Sequence, residues 1–186
     1  MTHEEYNAAA NHWIKKNAIS KKMPADQLWE AIENYIQANN TCALATGSGS
    51  FIRCTPIEYA WHDGAFWMFS EGGQKFVGLE ENKSVCLAIY DRYDGFGRLK
   101  GMQVSGTAEI MEPFSAEYIQ AAEWKKISVD ALRKLSFTMN LIKITPTEIE
   151  FLNSDFKEDG YDSRQHYDCG GHGRSRGLPQ VICGKE

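Results

Sequence analysis

The sequence predicts a mainly β protein with flanking helices, whose roughly six strands close or nearly close into a barrel. Three observations carry this. Residues 41–70 read as successive strands separated by glycine turns, residues 99–111 alternate between apolar and polar side chains, and residues 28–36 carry one apolar stripe at helical spacing. Closure is expected because it removes exposed strand edges.

The elements follow in order. Thr2, His3, Glu4 and Glu5 fit a capping box, so a helix is predicted over 4–17. Pro24, Ala25 and Asp26 mark a second start, and Leu28, Trp29, Ile32, Tyr35 and Ile36 recur at spacings of three and four, predicting an amphipathic helix to about residue 39. From Thr41 the texture becomes that of strands: 41–46, a glycine-serine turn at 47–50, 51–61, a His62-Asp63-Gly64 turn, and 65–70. Gly72 and Gly73 break the pattern, 74–82 is a short helical run, and 84–90 returns to strand composition. In 99–111, Met102, Val104, Gly106, Ala108 and Ile110 alternate with Gln103, Ser105, Thr107 and Glu109. Helices follow over 115–126 and 128–138 with Ser115 and Ser128 as N-caps, then a last strand or pair of strands over 141–152. The organisation expected is 1–39 as helices packing on the barrel, 40–154 as the barrel domain, and 155–186 as an irregular, glycine-rich polar tail.

Composition excludes several classes. The 186 residues suit one domain with extensions, and the 42% hydrophobic content supports a core without staples. Twenty basic against 25 acidic residues give a net charge of −5, which removes the electrostatic reason to expect a nucleic-acid or acidic-membrane binder. Any anionic ligand then needs a local basic site. An odd count of five cysteines, with Cys42, Cys54 and Cys86 read as small apolar fillers in strands, and an amino terminus without an apolar stretch of signal-peptide type, lead to the expectation of a cytoplasmic protein. The chain has no Walker loop, no nucleophile elbow and no His-Glu-x-x-His.

The most informative stretch is 69–76, where a strand runs through Gly72 and Gly73 into a helix start carrying Lys75. Glycines permit close approach of an anion, unpaired N–H groups at a helix start carry partial positive charge, and the lysine adds a full one. The segment equally fits a solvent-exposed helix start with a surface lysine. Arg53 shares a strand face with Phe51, Thr55, Ile57 and Tyr59, where a guanidinium needs an anion, water, or a carboxylate such as Glu58 or Glu71.

In this order, Arg53-Cys54-Thr55-Pro56, the Trp61-His62-Asp63-Gly64 turn, the aromatic strand ending in Ser70, the glycines and Lys75, the run 79–85, and Val104-Ser105-Gly106-Thr107-Ala108-Glu109, the chain resembles the pyridoxamine 5′-phosphate oxidase-like FMN-binding split β-barrels. The resemblance spans about Asn40 to Met111. It implies a six-stranded split β-barrel of FMN-binding type and a homodimer with FMN between subunits. It further implies Arg53 and Lys75 on the phosphate, Ser70 as a hydroxyl donor, and Cys54, Thr55, Pro56 and Ile57 with Trp67, Met68 and Phe69 along the ring. Gln103 is the matching donor from the partner chain, although the glutamine of the true oxidases lies two positions earlier, where this chain has Gly101.

The function expected is an FMN-dependent oxidoreductase acting on a small-molecule acceptor. In the tail, Arg164 and His166 resemble the substrate-phosphate clamp of the true oxidases, with Asp168 where a further arginine is expected. Two other readings stand beside this one. The first is a flavin- or haem-binding carrier without turnover. The second is an interaction protein whose tail gathers zinc with His166, Cys169, His172 and Cys183, a spacing that matches no common zinc pattern. His62, in a turn, and Trp29 and Trp124, at helical positions, read as structural.

Overall fold

The computed structural model describes residues 1–170. Three helices come first, α1 (His3–Ala10), α2 (His12–Ala18) and α3 (Ala25–Ala38). The capping box forms, with Thr2 Oγ1 accepting from Glu5 N–H and Glu5 Oε2 accepting from Thr2 N–H at 2.7 Å. The single helix expected over 4–17 is two, because Asn11 leaves helical geometry (ψ 0°) and caps α1. Neither piece buries a residue, so packing does not hold the two in line. By contrast α3 buries Leu28, Ile32, Tyr35 and Ile36, the predicted stripe.

The strands are β1 (Thr41–Ser48), β2 (Phe51–Glu58), β3 (Ala60–His62), β4 (Ala65–Ser70), β5 (Ser84–Tyr90), β6 (Lys100–Met111), β7 (Asn140–Asn153) and β8 (Arg164–Asp168), with α4 (Lys75–Glu81) after β4 and α5 (Ala116–Trp124) and α6 (Val129–Arg133) after β6. All pairings are antiparallel, in the order β2-β1-β5-β6-β7-β4-β3. The two ends of that order are neighbours in the chain, separated by Tyr59 alone. One bent strand therefore pairs with β1 through β2 and with β4 through β3. Counting it once, six strands curl into a barrel, the split β-barrel expected. Ser115 and Ser128 cap α5 and α6 as predicted, although α6 stops at Arg133, short of the helix expected to 138.

The barrel interior holds Leu44, Phe66, Met68, Leu87, Ile89, Met102, Val104, Ile142, Ile144, Ile149 and Phe151, and α3 packs its stripe against them. Tyr35 stacks on Phe151 at 4.9 Å between ring centroids, and Tyr59 donates its hydroxyl hydrogen to the Ile36 carbonyl at 2.8 Å, tying the bend to the end of α3. A second core lies outside the barrel, where Ala65, Trp67 and Leu141 meet Tyr118, Ala121, Ala122 and Leu132 of the later helices. No helix among the described residues is long and apolar enough to cross a membrane.

The segment after Asp155 is not irregular throughout, as its composition suggested. Strand β8 pairs with the second half of β7, from Glu148↔Asp168 to Leu152↔Arg164. Its anchor is polar: Gln165 is 2% exposed, accepts from Met23 N–H and donates to the carbonyls of Lys21 and Asp162. Phe156, buried against Phe151, pins the turn before it.

Ile32→Ala should cost ~2–5 kcal/mol, since Ile32 is fully buried between α3 and the barrel. Urea unfolding followed by tryptophan fluorescence measures it.

Candidate functional site

The bend at Tyr59 leaves a seam in the barrel. Strand β3 covers only Ala65–Trp67 of β4, so along Met68–Ser70 the edge of β4 turned away from β7 has no strand partner among the described residues. The edge of β2 turned away from β1 has none either. At one end of this seam the chain passes from Ser70 through Gly72 (φ 142°) and Gly73 (φ 104°) into α4, a backbone path that favours glycine at both positions. Gly72 N–H donates to Ser70 Oγ at 3.2 Å, and the Lys75 ammonium donates to the Gly72 carbonyl.

Lys75 is 6% exposed, and among the described residues no carboxylate lies within 4.0 Å of its ammonium. Burial lowers its pKa from the ordinary lysine range. At seven residues α4 is short, so the charge at this loop is that of the ammonium rather than of the helix dipole.

Helix α4 fixes Lys75 relative to the β1–β2 hairpin. A Cβ on Gly78 would stand 2.9 Å from the Gly47 nitrogen, so helix and strand backbones touch there. Asn82 Nδ2 donates to the Gly47 carbonyl at 2.9 Å, and the Ser48 hydroxyl donates to the Glu81 carboxylate. Directly opposite Thr46 in this hairpin stands Arg53. Arg53 is exposed and also has no carboxylate within 4.0 Å among the described residues. Glu58, one of its expected partners, pairs with Lys125 at 2.9 Å instead. Thr46 is 3% exposed and its hydroxyl has no hydrogen-bond partner among the described residues. The structure thus places Ser70, the double glycine and Lys75 together, with Arg53 on the hairpin that α4 grips.

The expected ring-lining residues divide. Thr55 and Ile57 share the Arg53 face of β2 and are partly buried, while Cys54 and Pro56 point the other way and are exposed, so Cys54 is no core filler. Met68 is fully buried in the barrel and Trp67 is 4% exposed in the outer core. Phe69 packs edge-on to Tyr118 at 5.2 Å. These three side chains are committed to packing, which leaves the unpaired backbone edge of Met68–Ser70 as what β4 offers to a ligand.

Gln103 lies on the outer face of the sheet, exposed, in a row with Ala88, Ala43 and Pro56; the next row is Ser105, Cys86, Ala45 and Cys54. Side chains there are small, and a shallow hollow of about 490 Å³ lies over Ala45, Cys86 and Ser105.

The two tail residues of the expected phosphate clamp each contact a carboxylate of β7. Arg164 Nη1 is held by Glu150 Oε2 at 2.9 Å and its guanidinium lies 4.6 Å from the Trp13 ring centre, while His166 Nδ1 stands 3.2 Å from Glu148 Oε1. Of the proposed zinc set, Cys169 packs against the barrel core, where burial pushes its thiol up to about 11, and His166 lies beside the Glu148 carboxylate. His172 and Cys183 lie outside the described residues. His62 stacks on Trp124 at 4.3 Å, a packing role. Glu148 and Glu150 were not singled out from the sequence, although their spacing of two in a strand already puts them on one face.

Residues 28–153 match the sequence profile of the family described as pyridoxamine 5′-phosphate oxidase. No curated protein matches the chain in sequence. Among solved structures, Campylobacter jejuni ChuZ aligns with TM-score 0.62 at 15% identity, over 97% of this chain and 76% of that one. A FAD-binding protein from Mesorhizobium loti aligns at 0.53 and 19%, over 64% and 88%. HutZ, the haem storage protein of Vibrio cholerae, aligns at 0.53 and 17%, over 63% and 88%. At these identities the likeness is one of fold.

Two outcomes follow from the α4 anchor. Gly78→Ala forces backbones apart and should cost ~1–3 kcal/mol in thermal unfolding. Lys75→Met should stabilise the ligand-free protein by roughly 1 kcal/mol, because the charged amine carries a desolvation cost. That cost is absent at pH above the ordinary lysine range, where the amine is neutral folded or unfolded, and grows as pH falls toward the lowered value. The gain from methionine should therefore shrink at high pH.

Proposed function

The chain belongs to the pyridoxamine 5′-phosphate oxidase family, and from that we propose that it is an FMN-dependent oxidoreductase acting on a small-molecule acceptor, with the flavin held at the barrel seam. The observation that carries this reading is Lys75, an ammonium withdrawn from water without a carboxylate beside it. Such a group is stabilised by an anion that brings its own charge into the site.

A phosphate at the Ser70–Lys75 turn would meet the Lys75 ammonium and the Ser70 hydroxyl, with Arg53 reaching in from the adjoining hairpin. Among the described residues neither cation has a carboxylate within 4.0 Å, which a chain of net charge −5 makes a local asset. The ring would lie along Thr55–Ile57 and the open backbone edge of Met68–Ser70, whose N–H and C=O groups suit the polar rim of a flavin. The outer face with its small side chains and Gln103 is the surface for a second copy of the chain, giving a homodimer in which Gln103 reaches the partner's flavin. Bound flavin supplies electron or hydride transfer, and the residues of this chain hold, orient and shield it. The displaced glutamine and the neutralised Arg164 argue against pyridoxamine phosphate as the substrate.

Arg53→Ala and Lys75→Ala should each weaken FMN by ~1.5–3 kcal/mol, the range for charge-assisted bonds, as measured by quenching of flavin fluorescence on titration. Unchanged affinity in the double variant sinks the site. The absorption spectrum of the purified protein separates the readings: an oxidised flavin spectrum, with FMN on release, agrees with the proposal, whereas a Soret band identifies a haem carrier.

A further inference from the structure

We propose that Glu148, Glu150 and His166 form a site for a divalent transition-metal ion on the outer face of the β7–β8 pair. The strands set it up. Glu148 and Glu150 are alternate residues of β7 and project to one side, opposite the buried Ile149 and Phe151. Register pairs Glu150 with His166 on β8, which brings the imidazole to the same side. One ligand atom from each residue lies within 4.8 Å of the other two, and all three side chains are partly buried. Metal–ligand distances of about 2.0–2.2 Å place neighbouring ligands roughly 3–3.6 Å apart, so modest rotations of three side chains close the set.

Charge and chemistry select a cation. With a neutral imidazole, two carboxylates against the single guanidinium of Arg164 leave a net negative charge, which disfavours the anionic substrate group suggested by the Arg-x-His resemblance. Among the described residues Arg164 Nη1 binds Glu150 through Oε2, at 2.9 Å, so the other carboxylate oxygen can face a metal while the arginine orients the group. His166 Nδ1 is 3.2 Å from Glu148 Oε1, so two of the three ligand atoms already converge on one point. Two carboxylates and one imidazole suit zinc, manganese or ferrous ions over calcium, and three protein ligands leave positions open to water or an exogenous ligand. The site lies on different strands from the β2–β4 seam, so its fate is independent of the flavin reading.

Titration of the full-length protein with Zn2+ against a chromophoric chelator should find one ion per chain. His166→Ala and Glu148→Gln should each lose more than ~10-fold in affinity. A variant of the tail, His172→Ala with Cys183→Ala, should bind as the parent does. Absence of stoichiometric binding, parental affinity in His166→Ala, or loss of binding in the tail variant overturns the assignment. If either site variant fails to fold, Co2+ bound to the parent protein decides. A spectrum without sulfur-to-metal charge transfer supports carboxylate and imidazole ligation, and a thiolate band assigns the ion to cysteine and rejects the site.

Discussion

Everything in this molecule depends on one bent strand serving two neighbours. Phe51–Glu58 completes its hydrogen bonds with β1, the chain turns at Tyr59, and Ala60–His62 completes its own with β4. Tyr59 is 3% exposed and its hydroxyl is bound to the α3 terminus, so the corner is held from inside by a helix that also fills the barrel. Closing a sheet this way satisfies most backbone groups without a full ring of pairings. The unmet pairings are concentrated at one seam, beside the turn that carries Lys75. Fold and site are thus the same solution seen from two sides.

Much of the barrel was legible from side-chain period, because strands such as β1, β5 and β6 each have one buried face. The 84–90 strand is found as read, the alternation of 99–111 holds from Met102 to Glu109 but leaves Ile110 exposed, and α3 buries the stripe its spacing announced. What escaped the reading obeys different physics. Asn11 interrupts the first helix where no burial enforces continuity, and β8 is held by a buried amide, Gln165, which polar composition disguises as loop.

For the site, the glycine turn and Lys75 were visible as a motif, whereas the availability of each ligand-facing group was not. Trp67, Met68 and Phe69 look like a ring platform in sequence, yet α5 and the barrel interior use those side chains for packing. Arg164 and His166 look cationic until their neighbours on β7 are known. Spacing along a strand reports which face a residue occupies; cross-strand register reports what neutralises it, and only the fold supplies register.

The two regions of charge are treated in opposite ways. At the seam, Arg53 and Lys75 have no acid within 4.0 Å among the described residues, and the ammonium is kept from water at a cost to the ligand-free protein. On β7 and β8, acids and bases are interleaved on the sheet surface, where the Arg164–Glu150 ion pair and the His166–Glu148 contact also fasten the last described strand. Neither arrangement is needed to close the barrel, which its apolar interior accomplishes.

Pro56 adds a consequence for the seam. A strand with one free edge is a template on which other chains can extend a sheet, and β2 carries Ile52 at 80% exposure beside Cys54. Proline has no amide hydrogen to offer a newcomer, and Arg53 three residues before it resists being stacked against its own kind. The opening in the barrel is thereby guarded against edge-to-edge association.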